Sequence, residues 1–484
     1  MKKVFLCLII CIAVLCGVFY GLYTYKNQQP KPDYFEYYKI QDSVPVGKVG
    51  VFVTGLVARP EHSAVFYYNV SEKVFNSIIP WPFRNFAKVD RGVLLLDPDR
   101  FFETDEFTPT RLEDMYGHDR DLDGVPFIEK YKKGEVVWVP PRGEGFDHGY
   151  FLFAARKGGL PTAAAKIINK SRIWYGEKGL VEKKNPQSTH VNQVMSKAFE
   201  KAGSKYNGVV FSWESSLFPH EMKTKLYKML DKGCDTIVLG STLSIYSHFE
   251  DFNSGFRHSI EFIHEWEKEH PGRKIKIIIA PPASQFQPMR QAFLEMLQDR
   301  LSMIQEGSDM YVALTIHGMP WDRMPYEAWN TFGLPYIGKL LQETKEVIKK
   351  YAFKRTDAVI CQFNFADDEW DPQKKYLSAN EAYWHAIDAG YDYVVNLPIE
   401  FYAENTDSML TFPMEQYENF DQYDVYEPIS YPDWSVPYTR QMVQGKTTVI
   451  YNGVPVGKYQ KYVVEAYYQS FDAVLSQKKA GPEA

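Results

Sequence analysis

Cysteine is scarce in this chain of 484 residues, which has five in all. Cys7, Cys11 and Cys16 fall inside an N-terminal apolar run, so only Cys234 and Cys361 remain in the body. The body can form at most one disulfide. No Cys-x-x-Cys pair exists, which argues against a Cys-ligated zinc site or an iron–sulfur cluster. Positive charge is not in excess either. There are 55 Lys and Arg against 61 Asp and Glu, a net charge of -6, and no basic stripe stands out. That balance speaks against nucleic acid as a partner.

What remains is a folded-protein composition. Hydrophobic residues make up 45% and charged residues 24%, both ordinary values, while aromatics are high at 16%. The length suits two or three lobes. High aromatic content fits either large apolar clefts or aromatic-rich cores.

The N-terminus stands apart. Met1-Lys2-Lys3 precedes an apolar run over 4–25. At about 1.5 Å per residue such a run can cross roughly 30 Å of hydrocarbon. Val14 and Leu15 before Cys16 fit a lipoprotein cleavage box poorly. The run therefore reads as a retained signal anchor over 1–25, with a cleaved signal as the alternative. The two leading lysines place the N-terminus inside and the body across the cytoplasmic membrane, on the extracytoplasmic side. Residues 26–46, with Pro30 and Pro32, read as a polar linker.

The body alternates strands and helices. Residues 49–55 form a first strand and 69–79 a helix, and 83–184 is an irregular stretch that reads as an insertion. From 189 the alternation is regular. Strands are expected at 208–211, 235–240, 274–279, 311–316, 357–362 and 391–397. Helices are expected at 190–202, 219–232, 259–269, 289–304, 338–351, 379–389 and 458–477. Such alternation implies βαβ crossovers and parallel sheets. The expected fold is α/β, with two doubly wound lobes over 47–185 and 186–475 and a tail over 476–484.

In open α/β sheets, sites form outside the carboxyl ends of strands. The apolar run 311–316 delivers His317 to that position, and Gly318 and Pro320 turn the chain at once. His317 reads either as a cleft imidazole or as a turn cap. The loop after 391–397 carries Phe401, Glu404 and Asp407. Three residues apart, the two carboxylates would share one face of a helix and could act as base or hard metal ligands. The alternative is helix capping. The loop after 235–240 carries Tyr246, His248 and Phe249. The loop after 357–362 runs from Gln362 to Trp370. Four loops after strand ends thus carry His, carboxylate or aromatic side chains.

These motifs resemble those of ferrochelatases. Thr315-Ile316-His317-Gly318-Met319-Pro320 is similar to that family's S-A-H-G/S-L-P signature. Gly333-Leu334-Pro335-Tyr336 is similar to its G-D-P-Y. Gln362 with Trp370 and Pro372 is similar to Q-S…W-L-x-P, and 401–409 to F-x-S-D-x-x-E-T-L. Residues 246–255 and 49–55 resemble two further segments. The order agrees over 186–415, and more loosely over 49–80. The family's Gly-Gly-Ser-Pro loop has no counterpart here.

The resemblance implies two similar lobes facing across a cleft that holds a tetrapyrrole, with ferrous or cobaltous ion as substrate. His317 matches the family's His, Asp407 its active-site Glu, and Glu404 an Asp. On that pattern His317, Asp407 and Glu404 handle protons or the incoming metal, and Tyr246, His248, Trp321 and Phe401 line the tetrapyrrole. Insertion requires loss of two pyrrole protons, which suits an imidazole facing a carboxylate. The competing expectations are a catalytically degraded relative that binds haem, another tetrapyrrole or metal outside the cytosol, and a metal-binding partner in a membrane assembly.

Asp119-Arg120-Asp121-Leu122-Asp123-Gly124 stands outside the family pattern. Asp119, Asp121 and Asp123 match the first half of a calcium loop, although Lys130 occupies its twelfth position. It reads as a structural calcium site or as an acidic solvated turn.

Overall fold

The structure, a computed structural model, describes residues 34–60, 184–319, 325–363, 371–405, 407–412 and 434–477, with two strands at 136–139 and 150–153 and a few isolated positions. The apolar run 4–25, the helix expected at 69–79 and the Asp119–Asp121–Asp123 motif lie outside these residues. Among the described residues no helix is long and apolar enough to cross a membrane. The chain divides into two compact units. The first contributes, among described residues, an antiparallel pair, β2 (Val136–Val139) and β3 (Tyr150–Phe153). The second unit holds everything discussed below.

That unit is a mixed α/β body with two largely parallel sheets. The first sheet contains β1 (Val49–Gly55), β4 (Val210–Ser215), β5 (Thr236–Ser241) and β6 (Lys276–Ile279), in the order β4-β1-β5-β6, all parallel. β1 and β5 are buried along their whole length, as their apolar runs require of strands covered on both faces. The helices α2 (Pro186–Lys205), α3 (Pro219–Asp231) and α4 (Phe256–Glu269) supply the crossovers. Asn185 starts α2 by accepting the Ser188 N–H, with Pro186 at the first helical position.

Helix α5 (Gln287–Leu301) leads to the second sheet. Its strands are β7 (Asp309–Ile316), β8 (Arg355–Gln362), β9 (Leu377–Ser378), β10 (Tyr393–Pro398), β11 (Thr439–Gln444) and β12 (Thr447–Asn452), in the order β11-β12-β10-β7-β8-β9. Only β11 runs antiparallel, to β12. Helix α6 (Leu334–Ile348) joins β7 to β8, and α7 (Ala379–Asp388) joins β9 to β10. A Ser378–Glu381 capping box fixes the start of α7.

Two expectations change here. A lobe boundary at 186 does not match the sheets, because strands up to β6 pair with the β1 sheet and the second sheet begins only at β7. The segment expected to be linker up to 46 is partly a packed strap. Tyr34 donates to Glu261, and α1 (Phe35–Ile40) buries Phe35 among Phe252 at 4.9 Å, His248 and Phe332. Gln41 then pairs with both backbone groups of Ile279 at the edge of β6. A fully buried aromatic outweighs the polar composition around it. The last helix, α8 (Gln460–Leu475), ties the lobes together. Its Ser470 hydroxyl donates to Pro281 O, and its Tyr467 packs on Tyr402.

Candidate functional site

Strand order fixes where a crevice opens. In the second sheet the chain leaves β7 toward β8 and leaves β10 toward β12, in opposite directions. In open α/β sheets ligands bind where such departures diverge, which here is at the carboxyl ends of β7 and β10. Pro398 pairs with Thr315, so the residues following them, Glu400 and His317, emerge side by side. The His317 backbone N–H donates to the Glu400 carboxylate. Gly318 follows with φ +87°, a left-handed conformation that glycine alone adopts at little cost. The Glu400 carbonyl accepts from Ser244 of the first lobe at 2.7 Å.

His317 is held on both sides. Nδ1 lies 2.9 Å from the Gly318 carbonyl. A carbonyl can only accept, so the neutral ring carries its proton on Nδ1 and presents the Nε2 lone pair. Nε2 lies 3.7 Å from Asp407 Oδ2, with the two side chains 27% and 35% exposed. Three rings surround the imidazole: Phe365 at 5.8 Å, Phe412 at 6.0 Å and Phe401 at 6.1 Å. Phe412 stacks on Phe363 at 3.9 Å, which braces this wall. Asp407 opens a short π-helical turn, Asp407–Thr411. Asn405 caps that turn, its Oδ1 accepting the N–H groups of Asp407 and Ser408.

Glu404 is placed elsewhere. It is not on one helical face with Asp407, because the turn begins only at Asp407. Its side chain is 0% exposed and accepts from the Ser408 hydroxyl at 2.7 Å and the Tyr438 N–H at 3.1 Å. Burial pushes this carboxyl up to about 7, against the opposing pull of those donors. Among the described residues no group of three His, Cys, Asp or Glu could hold a metal ion. His317 and Asp407 are therefore a pair, without Glu404 as a third ligand.

Most of the expected lining residues are packed inside. Tyr246 is 1% exposed, among Phe252, Phe256 and Phe332, and burial pushes its phenol well above the usual range. His248 is buried between Phe35 and Phe252, within a π-helical turn, His248–Gly255, where a loop was expected. Trp321 is buried against Trp329 and Tyr376 and donates to Gln362 at 2.9 Å. Gln362 in turn donates to Asp371. Phe401 alone of the four reaches the His317 ring. Glu400 was missed from sequence. Its signal is position, as the first ionisable residue beyond the end of β10.

No family model matches the chain, and no curated protein matches it in sequence. Among solved structures it is similar to a solute-binding protein of an ABC transporter from Clostridium phytofermentas, solved with bound L-rhamnose. The two share 11% identity over 59% of this chain and 78% of that one, with a TM-score of 0.24. At that level neither the fold nor the sugar carries over to this chain.

Proposed function

We propose that the chain is a ferrochelatase-like enzyme that inserts a divalent metal, iron or cobalt, into a tetrapyrrole at the crevice between β7 and β10. The observation that carries this reading is the His317 Nε2 facing Asp407 at 3.7 Å inside a cage of three phenylalanines. Apolar ring faces suit a flat macrocycle. Metal insertion exchanges two pyrrole protons for one M²⁺. The Nε2 lone pair takes one proton, and the Asp407 carboxylate takes the second or meets the ion as it enters. Two protein donors leave the other positions of the ion to water and pyrrole nitrogens. The N-terminal apolar run belongs to the same reading as an anchor that keeps the body outside the cytosol.

A second reading is a relative that binds a tetrapyrrole without metallating it. It is favoured by the burial of Tyr246, His248 and Trp321, which leaves fewer groups to grip and distort a macrocycle. One experiment separates the two. The full chain is mixed with a free-base porphyrin and ferrous, cobaltous or zinc ion, and the visible spectrum is followed. Metallation by the wild type, lost in His317→Ala, supports the enzyme. Tight porphyrin binding with no metallation under any of the three ions supports the carrier.

A further inference from the structure

His190 and Glu404 are ionisable, deeply buried and unused in the proton handling above. His190 lies in the first turns of α2, a first-lobe helix. Its Nε2 donates to the Trp434 carbonyl at 2.7 Å, which leaves Nδ1 as a lone pair. That lone pair accepts the Glu404 backbone N–H at 3.3 Å. One imidazole from the first lobe thus holds two separate segments of the second, one ahead of β11 and one after β10.

The Glu404 side chain extends the connection. Its Oε2 accepts from Ser408, the residue directly after Asp407, and its Oε1 accepts from Tyr438 and faces the Val454 N–H at 3.5 Å. Gly453 permits the approach, since a Cβ there would lie 2.8 Å from Glu404 Oε1 and 2.6 Å from the Tyr438 carbonyl. Burial favours the uncharged form of both groups, which lets them stay dry together.

We infer that His190 and Glu404 form a buried clasp between the lobes, and that Glu404 is a positioning residue that fixes the turn presenting Asp407 to His317. The consequence for turnover rests on the chelatase-like reading, whereas the clasp itself does not. A carboxylate acting directly on metal or protons would not tolerate an amide in its place. A carboxyl that only accepts N–H and O–H groups would tolerate one.

The test uses the full chain and two readouts: hydrogen exchange at the Asp407 and Ser408 amides, and kcat and KM for porphyrin metallation. Glu404→Gln keeps an oxygen for Tyr438 and is expected within about twofold of wild type in both readouts. Glu404→Ala and Ser408→Ala are expected to speed exchange at those amides by roughly tenfold or more and to lower kcat with little change in KM. Should Glu404→Ala fail to fold, Ser408→Ala removes one link alone and carries the test. Unchanged exchange in the alanine variants overturns the clasp. Turnover in Glu404→Gln as low as in Glu404→Ala overturns positioning in favour of a direct chemical role. A wild type that metallates no porphyrin ends the chelatase-like reading, and the exchange result still decides the clasp.

Discussion

Each lobe has one place where its crossovers diverge, and the two places are furnished differently. In the first sheet it lies between β1 and β5. The chain at these two strand ends reads Thr54-Gly55 and Ser241-Thr242, hydroxyls and a glycine, and the ionisable His248 and Asp251 of the loop after β5 are buried. The fit is tight. A Cβ on Gly55 would come 2.0 Å from Thr242 Oγ1, and the Thr242 N–H already bonds Thr54 O at 2.7 Å. In the second sheet the equivalent place, between β7 and β10, carries His317, Glu400 and Asp407. The two switch points thus differ in the side chains that they present. A strand's carboxyl end is an opportunity for a site, and the side chains placed there decide whether it becomes one.

The largest expected effects belong to the second lobe. Asp407→Asn keeps the shape of the site and removes the charge beside Nε2, so porphyrin metallation should fall by roughly 10²-fold or more, with porphyrin binding little changed. A fall of less than a few-fold would show that the pair is incidental.

The clasp between the lobes should make stability depend on pH from both sides. His190 is held neutral by burial, its folded value lowered from 6.5 to about 4. Its contribution is complete above 6.5 and is lost as pH falls through 4. Glu404 is raised from 4.5 to about 7, so its contribution is complete below 4.5 and is lost as pH rises through 7. The two slopes cancel between 4.5 and 6.5, so each net limb spans only about half a pH unit and is worth less than about 1 kcal/mol. Urea midpoints measured from pH 4 to pH 8 should fall slightly at both ends, and Glu404→Gln should abolish the alkaline fall and leave an uncompensated rise in stability from pH 4 to 6.5. An unchanged alkaline limb in that variant would contradict a protonated buried Glu404.

In the first lobe, Gly55→Val should cost about 1–3 kcal/mol through overpacking against Thr242, yet leave metallation per folded molecule unchanged. The smallest effect is expected for Trp321→Phe. It loses one buried hydrogen bond to Gln362, worth about 1 kcal/mol in denaturant, with turnover within about twofold.

Much of the fold was legible because its strands and helices have strong and different apolar periods. The strands around 236–241, 309–316 and 393–398 were placed to within two residues, and so were most helix ends. The misses have different causes. β11 carries only two apolar residues, Met442 and Val443, and is an edge strand defined by pairing with β12 rather than by pattern. α1 is six residues long, too short to form on propensity, and owes its shape to Phe35. The lobe boundary failed because regularity of pattern says nothing about which sheet a strand joins.

That His317, Phe401 and Asp407 lie near one another was legible from their position after strand ends. The expected shared face of Glu404 and Asp407 does not form, because the turn begins only at Asp407 and a loop does not keep residues three apart on one face. The burial of Tyr246, His248 and Trp321 was not legible, because loop aromatics fold inward when packing partners exist, here Phe252, Phe332 and Trp329.

The most direct test of the contrast between the lobes is a matched pair of substitutions at the two crevices, His317→Ala and Thr242→Ala, in the full chain. Metallation of a free-base porphyrin by ferrous, cobaltous or zinc ion is followed by absorbance for both variants and wild type. A second-lobe site predicts that His317→Ala abolishes metallation while Thr242→Ala retains it. Metallation that survives in His317→Ala and is lost in a folded Thr242→Ala would contradict it.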